Sequence, residues 1–245
     1  MFLTPSSLEL TELLSTFNSK ILLPSLLTNE QKKLVYKQEN KAKLEAEPVD
    51  IALGEVTLPL EPLDRNRLPN RTETFMEIIR KSESREDWEN VVRVLEGLED
   101  AGIKVSRTWR ELVVRRLHLS GNQHLILKAL QRVKATGLRM RDGRLVLQVL
   151  RGVHDMAAKS DWDKDETNKA FRFAKQIVEM LEDDEHRVGP AKTLYKTDFR
   201  GDPAVVALPT ELAAVLADRH GGDVEQVKTL ARRLMASLKQ DDYSV

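Results

Sequence analysis

The chain has 245 residues, 41% hydrophobic and 32% charged, enough to bury a core in one medium domain or two small ones, which excludes fibrous and wholly disordered chains. It has no cysteine, so disulfides, thiolate chemistry and every Cys-ligated metal site are impossible, and an intracellular life is the natural inference. Basic and acidic side chains balance at 39 each, which taken alone argues against a nucleic-acid partner, but the total conceals a segregation along the chain.

The first 19 residues hold no Lys or Arg and include Glu9 and Glu12, the opposite of an Arg-rich organelle presequence. Residues 8–18 have the spacing of a short helix. Thr28-Asn29-Glu30-Gln31 then opens a charged helix running to about Ala46 with few apolar positions. Pro48, Pro59, Pro62 and Pro69 make residues 48–70 an extended arm, Leu-rich around 21–27 and 51–60, suited to lying along a large partner and poorly protected from hydrogen exchange when alone. No apolar run approaches the roughly 20 residues that cross a bilayer. Asn70-Arg71-Thr72 has the form of a glycosylation sequon, but a chain without cysteine gives no support for secretion.

From residue 72 onward the apolar residues recur at three and four, the period of amphipathic helices. This predicts helices over 72–82, 86–100, 107–119, 123–135, 143–157, 167–183, 209–219 and 224–239, an all-α chain of paired helices. Start signals fit at Ser84 with Asp87, at Ser106, at Pro209 in a first turn and at Asp223 with Gln226. Gly102 and Gly137 supply stops. Asp161, Asp163 and Asp165 mimic a calcium loop, yet Glu166 stands where that loop needs Gly and Arg172 where it needs Glu, so the stretch reads as a solvated loop and helix start. The tail from Gln240 to Val245 reads as frayed.

Chemistry-bearing patterns are missing. There is no phosphate-cradling Gly loop, no dinucleotide fingerprint and no nucleophile elbow. His118, His124, His154, His186 and His220 are scattered without metal-ligand spacing and read as structural or surface residues. The expectation is a non-enzymatic protein with no cofactor and no small-molecule substrate.

Gly102 and Gly137 are 35 residues apart, and the helices before them match: Val91, Val92, Leu95 and Leu98 fall on Ile126, Leu127, Leu130 and Val133. At an offset of 34, Phe75, Ile78 and Ile79 fall on Trp109, Leu112 and Val113. Such a period means stacked helical hairpins, because one hairpin cannot bury its apolar faces alone. The run from Arg107 through Ser120-Gly121-Asn122 to Ala135-Thr136-Gly137-Leu138-Arg139 resembles a pentatricopeptide repeat, and the unit at 71–105 is similar. A third hairpin at 141–185 has an enlarged turn at 158–166, and 208–240 forms a fourth after an irregular insert at 186–207.

The resulting organisation is an α-solenoid of about three to four hairpins: N-terminal helices and arm over 1–70, repeats over 71–185, insert and last hairpin over 186–245. The resemblance implies a mitochondrial RNA-binding protein of gene expression, a ribosome component or a translation or messenger-RNA factor. Such arrays read about one base per repeat through the first helix of each hairpin. This chain places Arg110 and Glu111 where the family favours short polar residues.

Residues 1–103 hold 13 basic and 19 acidic side chains, residues 104–151 hold 12 and 2, and residues 152–245 hold 14 and 18. The central excess projects a local positive field that the flanks cannot screen beyond about 8–10 Å in physiological salt. Arg144, Gln148 and Arg151 form one helical stripe, opposite Val146, Leu147, Leu150 and Val153. Arg107 and Arg110 extend it on the neighbouring first helix, with Arg115 in the same segment. Lys104, Lys128, Arg132, Lys134, Arg139 and Arg141 lie on second helices or turns and reach phosphates from the rim. Trp109 reads as core. RNA, ribosomal or messenger, is the expected partner of the basic surface, with protein along residues 1–70. The alternative is a protein–protein scaffold or assembly factor without RNA contact, its arginines a solvated face or a site for acidic side chains.

Overall fold

The computed structural model describes residues 2–46, 49–53, 56–187 and 198–239. The tail 240–245 lies outside the described residues, and the insert expected at 186–207 is described only at its two ends. Among the described residues the fold is all-α apart from one short β-hairpin, and the chain divides into two compact units, Met1–Lys104 and Val105–Val245.

The first unit begins with α1 (Leu8–Phe17), started by the Ser7 hydroxyl, which accepts from the Leu10 N–H. A single π-helical segment, Asn18–Leu22, leads into α2 (Leu23–Leu26). Residues 28–46, expected as one helix, instead fold as α3 (Asn29–Tyr36), a 3-10 turn at Gln38–Asn40 and α4 (Lys41–Ala46). The capping box of Thr28 and Gln31 is present at the start of α3. Lys37, in an extended conformation with ψ 122°, ends that helix early. Within the Pro-containing stretch, β1 (Asp50–Leu53) and β2 (Val56–Pro59) pair antiparallel, Asp50 opposite Pro59. Leu23, Leu27, Val35, Leu44 and Leu60 gather into a small core with Leu63, so part of the leucine-rich surface expected to await a partner is covered from within.

α5 (Arg71–Lys81) starts at Asn70, and α6 (Arg85–Asp100) at the Ser84–Asp87 capping box. Leu10, Leu14 and Phe17 of α1 are buried, as are Phe75, Ile78 and Ile79 of α5, and the Phe17 and Phe75 rings stand 6.2 Å apart. Each such side chain stabilises the unit by about 1.5–3 kcal/mol. Polar contacts finish the attachment. Asp87 accepts from the Ser6 N–H at 2.9 Å and its hydroxyl at 2.5 Å, and Asn90 pairs with the Leu3 N–H and C=O at 2.7 and 3.0 Å. The beginning of the chain is therefore built into this unit.

The second unit stacks three helical hairpins. α7 (Arg107–Leu119) is capped by Ser106 and turns through Ser120-Gly121-Asn122 into α8 (Gln123–Gln131). The helix expected over 123–135 breaks at Arg132, φ −111° and ψ 47°, and resumes as α9 (Val133–Thr136), closed by Gly137 in the left-handed region at φ 65°. α10 (Gly143–Lys159) follows, then α11 (Lys164–Met180). The turn between them is tighter than expected: Asp161 and Trp162 both take positive φ, and Asp163 caps α11 through the Asp165 and Glu166 N–H groups. α12 (Pro203–His220) begins six residues before the expected start. Asp202 caps it and Pro203 occupies its first turn, so Pro209 lies inside the helix instead of opening it. α13 (Val224–Leu238) closes the unit from its Asp223 cap. Among the described residues no helix is long and apolar enough to cross a membrane.

Candidate nucleic-acid interface

The first helices of the three hairpins, α7, α10 and α12, lie side by side and run parallel. Near their starts Arg107 pairs with Asp142, the cap of α10; toward their ends His118 on α7 meets Asp155 on α10 at 3.2 Å. His154 on α10 in turn reaches Glu211 on α12 at 3.7 Å. The second helices α8 and α11 pack together as the opposite layer.

The period of α10 divides it cleanly. Leu145, Val146, Val149, Leu150 and Val153 are buried, while Arg144, Leu147 and Arg151 are exposed and Gln148 is half-buried beside them. Leu147, expected on the apolar side, is 54% exposed because it falls between Arg144 and Arg151 on the helix surface. On α7, Arg115 is exposed on the side opposite Val113 and Leu117, and Arg116 is exposed one step further round the helix, beside Val113. The side chains of Arg115, Arg116, Arg144 and Arg151 have no carboxylate partner among the described residues. Parallel helices with these exposures present guanidinium groups on one layer, each a planar fork of donors suited to phosphate.

The remaining expected residues are placed elsewhere. Arg107 is held by Glu111 at 2.9 Å and by Asp142 at 2.5 Å. Arg110, three and four positions before Val113 and Val114, is half-buried on the inward side of α7. Lys128, Arg132 and Lys134 belong to the second-helix layer, where Lys134 pairs with Glu185 at 3.4 Å. Arg139 is half-buried in the connection before α10, and its Nε is buried without a hydrogen-bond partner among the described residues. Arg141 donates to the Asp184 carbonyl at 2.8 Å, and Lys104 is exposed at the end of the first unit. Trp109, expected as core by its register with Phe75, is only half-buried. Arg116 was missed although it lies in the basic segment, and it is exposed at the edge of the apolar stripe of α7.

Beneath the arginine layer lies a polar seam. Burial pushes the Asp155 carboxyl up, but hydrogen bonds from His118 and His154 outweigh this and hold it below the ordinary carboxylate value. Gln123 donates to His118 Nδ1 at 3.3 Å, which leaves Nε2–H for Asp155. Among the described residues no cluster of three or more His, Asp or Glu side chains forms a metal-binding group.

Fold and surface together define a class: a helical-hairpin protein whose first-helix layer displays arginines without carboxylate partners among the described residues, beside a half-buried polar seam. The chain belongs to the mitochondrial ribosomal protein mS27 family, whose model it matches over residues 1–244. It is 27% identical over 219 residues to the small ribosomal subunit protein mS27 of Neurospora crassa, an alignment covering 87% of this chain and 55% of that one. The chain thus spans about half the length of that curated relative. Family membership makes this a mitochondrial, ribosomal chain.

Proposed function

We propose that the chain is a structural, non-enzymatic component of the small subunit of the mitochondrial ribosome, and that it binds ribosomal RNA through phosphates facing α7 and α10. The observation that carries this reading is the set Arg115, Arg116, Arg144 and Arg151, exposed on parallel helices without a carboxylate partner among the described residues. Gln148 adds a neutral donor and acceptor within the same stripe. The α5–α6, α7–α9 and α10–α11 hairpins are read as pentatricopeptide-like units used for backbone contact, since charged Arg110 and Glu111 occupy the place where that family reads bases. Arg139 and Arg141 form the rim of this surface and Arg107 and Arg110 its inner edge, whereas Lys128, Arg132 and Lys134, on the second-helix layer, lie apart from it. Protein partners meet residues 1–70 through Leu8, Leu26 and Val49, which stay exposed at 77%, 40% and 40%.

The test is a salt titration of RNA binding by the full chain. Neutralising about four phosphates gives a log–log slope of roughly −3 to −4, and Arg144→Glu with Arg151→Glu flattens it. An absence of binding at about 50 mM salt removes the reading, and selective capture of an acidic protein instead promotes the scaffold alternative.

A further inference from the structure

The second-helix layer carries a cationic surface of its own. Between residues 123 and 136, on α8 and α9, the chain has three basic side chains and no acidic one; between 167 and 178, on α11, it again has three and none. The acids of α11 sit in its first turn, Asp165 and Glu166, and near its end at Glu179, so its middle is purely basic. Lys128, Arg172 and Lys175 are exposed and have no carboxylate partner among the described residues. The Lys175 ammonium stands 5.8 Å from the Phe171 ring centre, a contact that steadies it without neutralising it. Lys169 is paired with Glu166 at 3.5 Å, an exposed contact that a phosphate displaces at little cost.

We infer that the exposed sides of α8 and α11 bind the phosphate backbone of a second RNA segment, so that the second unit bridges two RNA elements. This rests on the RNA reading of the first-helix layer. The buried faces of α10 and α11 meet in the core, so their charged faces point away from each other. Two packed helices make a slab about 20 Å thick. Physiological salt screens over about 8 Å. The two surfaces therefore act as separate sites, and one duplex lying against Arg144 and Arg151 leaves Lys128, Arg172 and Lys175 open to another. Charge complementarity selects a polyanion for these cationic positions.

The experiment uses the full chain at concentrations where light scattering shows a monomer. A short RNA hairpin is immobilised, protein is bound to it, and capture of a second, fluorescent RNA hairpin is measured at low salt. The wild-type chain captures the second hairpin. A variant carrying Lys128→Glu, Arg172→Glu and Lys175→Glu, with unchanged circular dichroism, still binds the immobilised RNA but loses capture. Wild-type protein that binds the first hairpin and captures none, or a triple variant that captures as well as wild type, overturns the bridging proposal while leaving the first site standing. Failure of the wild type to bind any RNA overturns both.

Discussion

Gly152 on α10 leaves its side-chain position to His118 of α7: a Cβ there would lie 3.0 Å from the imidazole Nδ1 and 3.2 Å from Cγ. The ring is not free to retreat, because Asp155 and Gln123 hold its two nitrogens. Gly152→Ala gains about 1 kcal/mol of helix propensity but incurs about 1–3 kcal/mol of overpacking. We expect a net loss of about 1 kcal/mol, read as a fall of roughly 2–4 °C in melting temperature. Combining it with His118→Ala removes the clash, so the two effects are strongly non-additive.

Asp87→Ala removes a fully buried acceptor that serves Ser6 twice and the Glu83 and Ser84 N–H groups once each. The expected cost is about 3 kcal/mol, checked by urea unfolding. Burial raises the Asp87 carboxyl, but the hydrogen bonds from Ser6, Ser84 and Glu83 prevail and lower it below 3.8. Its contribution is therefore present above that value and disappears as the pH falls through the depressed folded value. Hydrogen exchange at Leu10, Leu14 and Phe17 should be slow in the isolated wild-type chain and fast in the variant.

His186, 2% exposed, accepts from the Met140 N–H at Nδ1 and donates from Nε2 to the Leu130 carbonyl, which fixes the neutral form. Burial lowers its pKa below 6.5, against the Leu130 hydrogen bond and the charges of Asp183 and Glu185, with Arg141 adding to the lowering. The unfolded chain thus takes up this proton first. Stability is complete above about pH 6.5 and declines as the pH falls through that value toward the folded one. Urea midpoints should drop on acidification, and His186→Gln should flatten that part of the profile.

Arg200, 9% exposed, binds both oxygens of the buried Asp198 carboxylate and reaches Glu182 at 3.3 Å. Arg200→Ala leaves Asp198 buried without its counter-charge, and we expect a loss of about 3–5 kcal/mol in denaturant unfolding.

RNA affinity separates free from occupied arginines. Arg151→Ala removes an unpaired cation, whereas Arg107→Ala removes one already matched by Glu111 and Asp142. Arg151→Ala should therefore reduce the salt slope by nearly one, and Arg107→Ala by much less.

Local chemistry was legible wherever cause and effect lie within one turn of helix. Ser84, Ser106, Asp223 and Gly137 sit at the helix ends that their residue types predict. Arg144, Gln148 and Arg151 share the stripe that a period of 3.6 requires. Distant partners were not legible. Asp87 reads in sequence as one half of a capping box, and nothing near it announces Ser6, 81 positions earlier. Arg107 looks like any other cation of the basic segment until the start of α10 brings Asp142 to it. The cations of α11 were hidden by the acidic total of their own segment, since net charge over 94 residues averages away a purely basic helix centre. Pro209 misled because proline in a first turn is common, and the stronger start, Asp202 with Pro203, lay only a turn and a half upstream.

The docking of Leu3 and Ser6 onto Asn90 and Asp87 sets an order of events for a chain made from N- to C-terminus. Leu3 and Ser6 must wait for a helix that is translated more than 80 positions later. The apolar stripe of α1 settles on α5 as soon as that helix is made, but the polar lock on Leu3 and Ser6 stays open until α6 is complete. Residues 3–6 are thus among the last of their unit to be secured, and their locking marks the moment when this unit is finished.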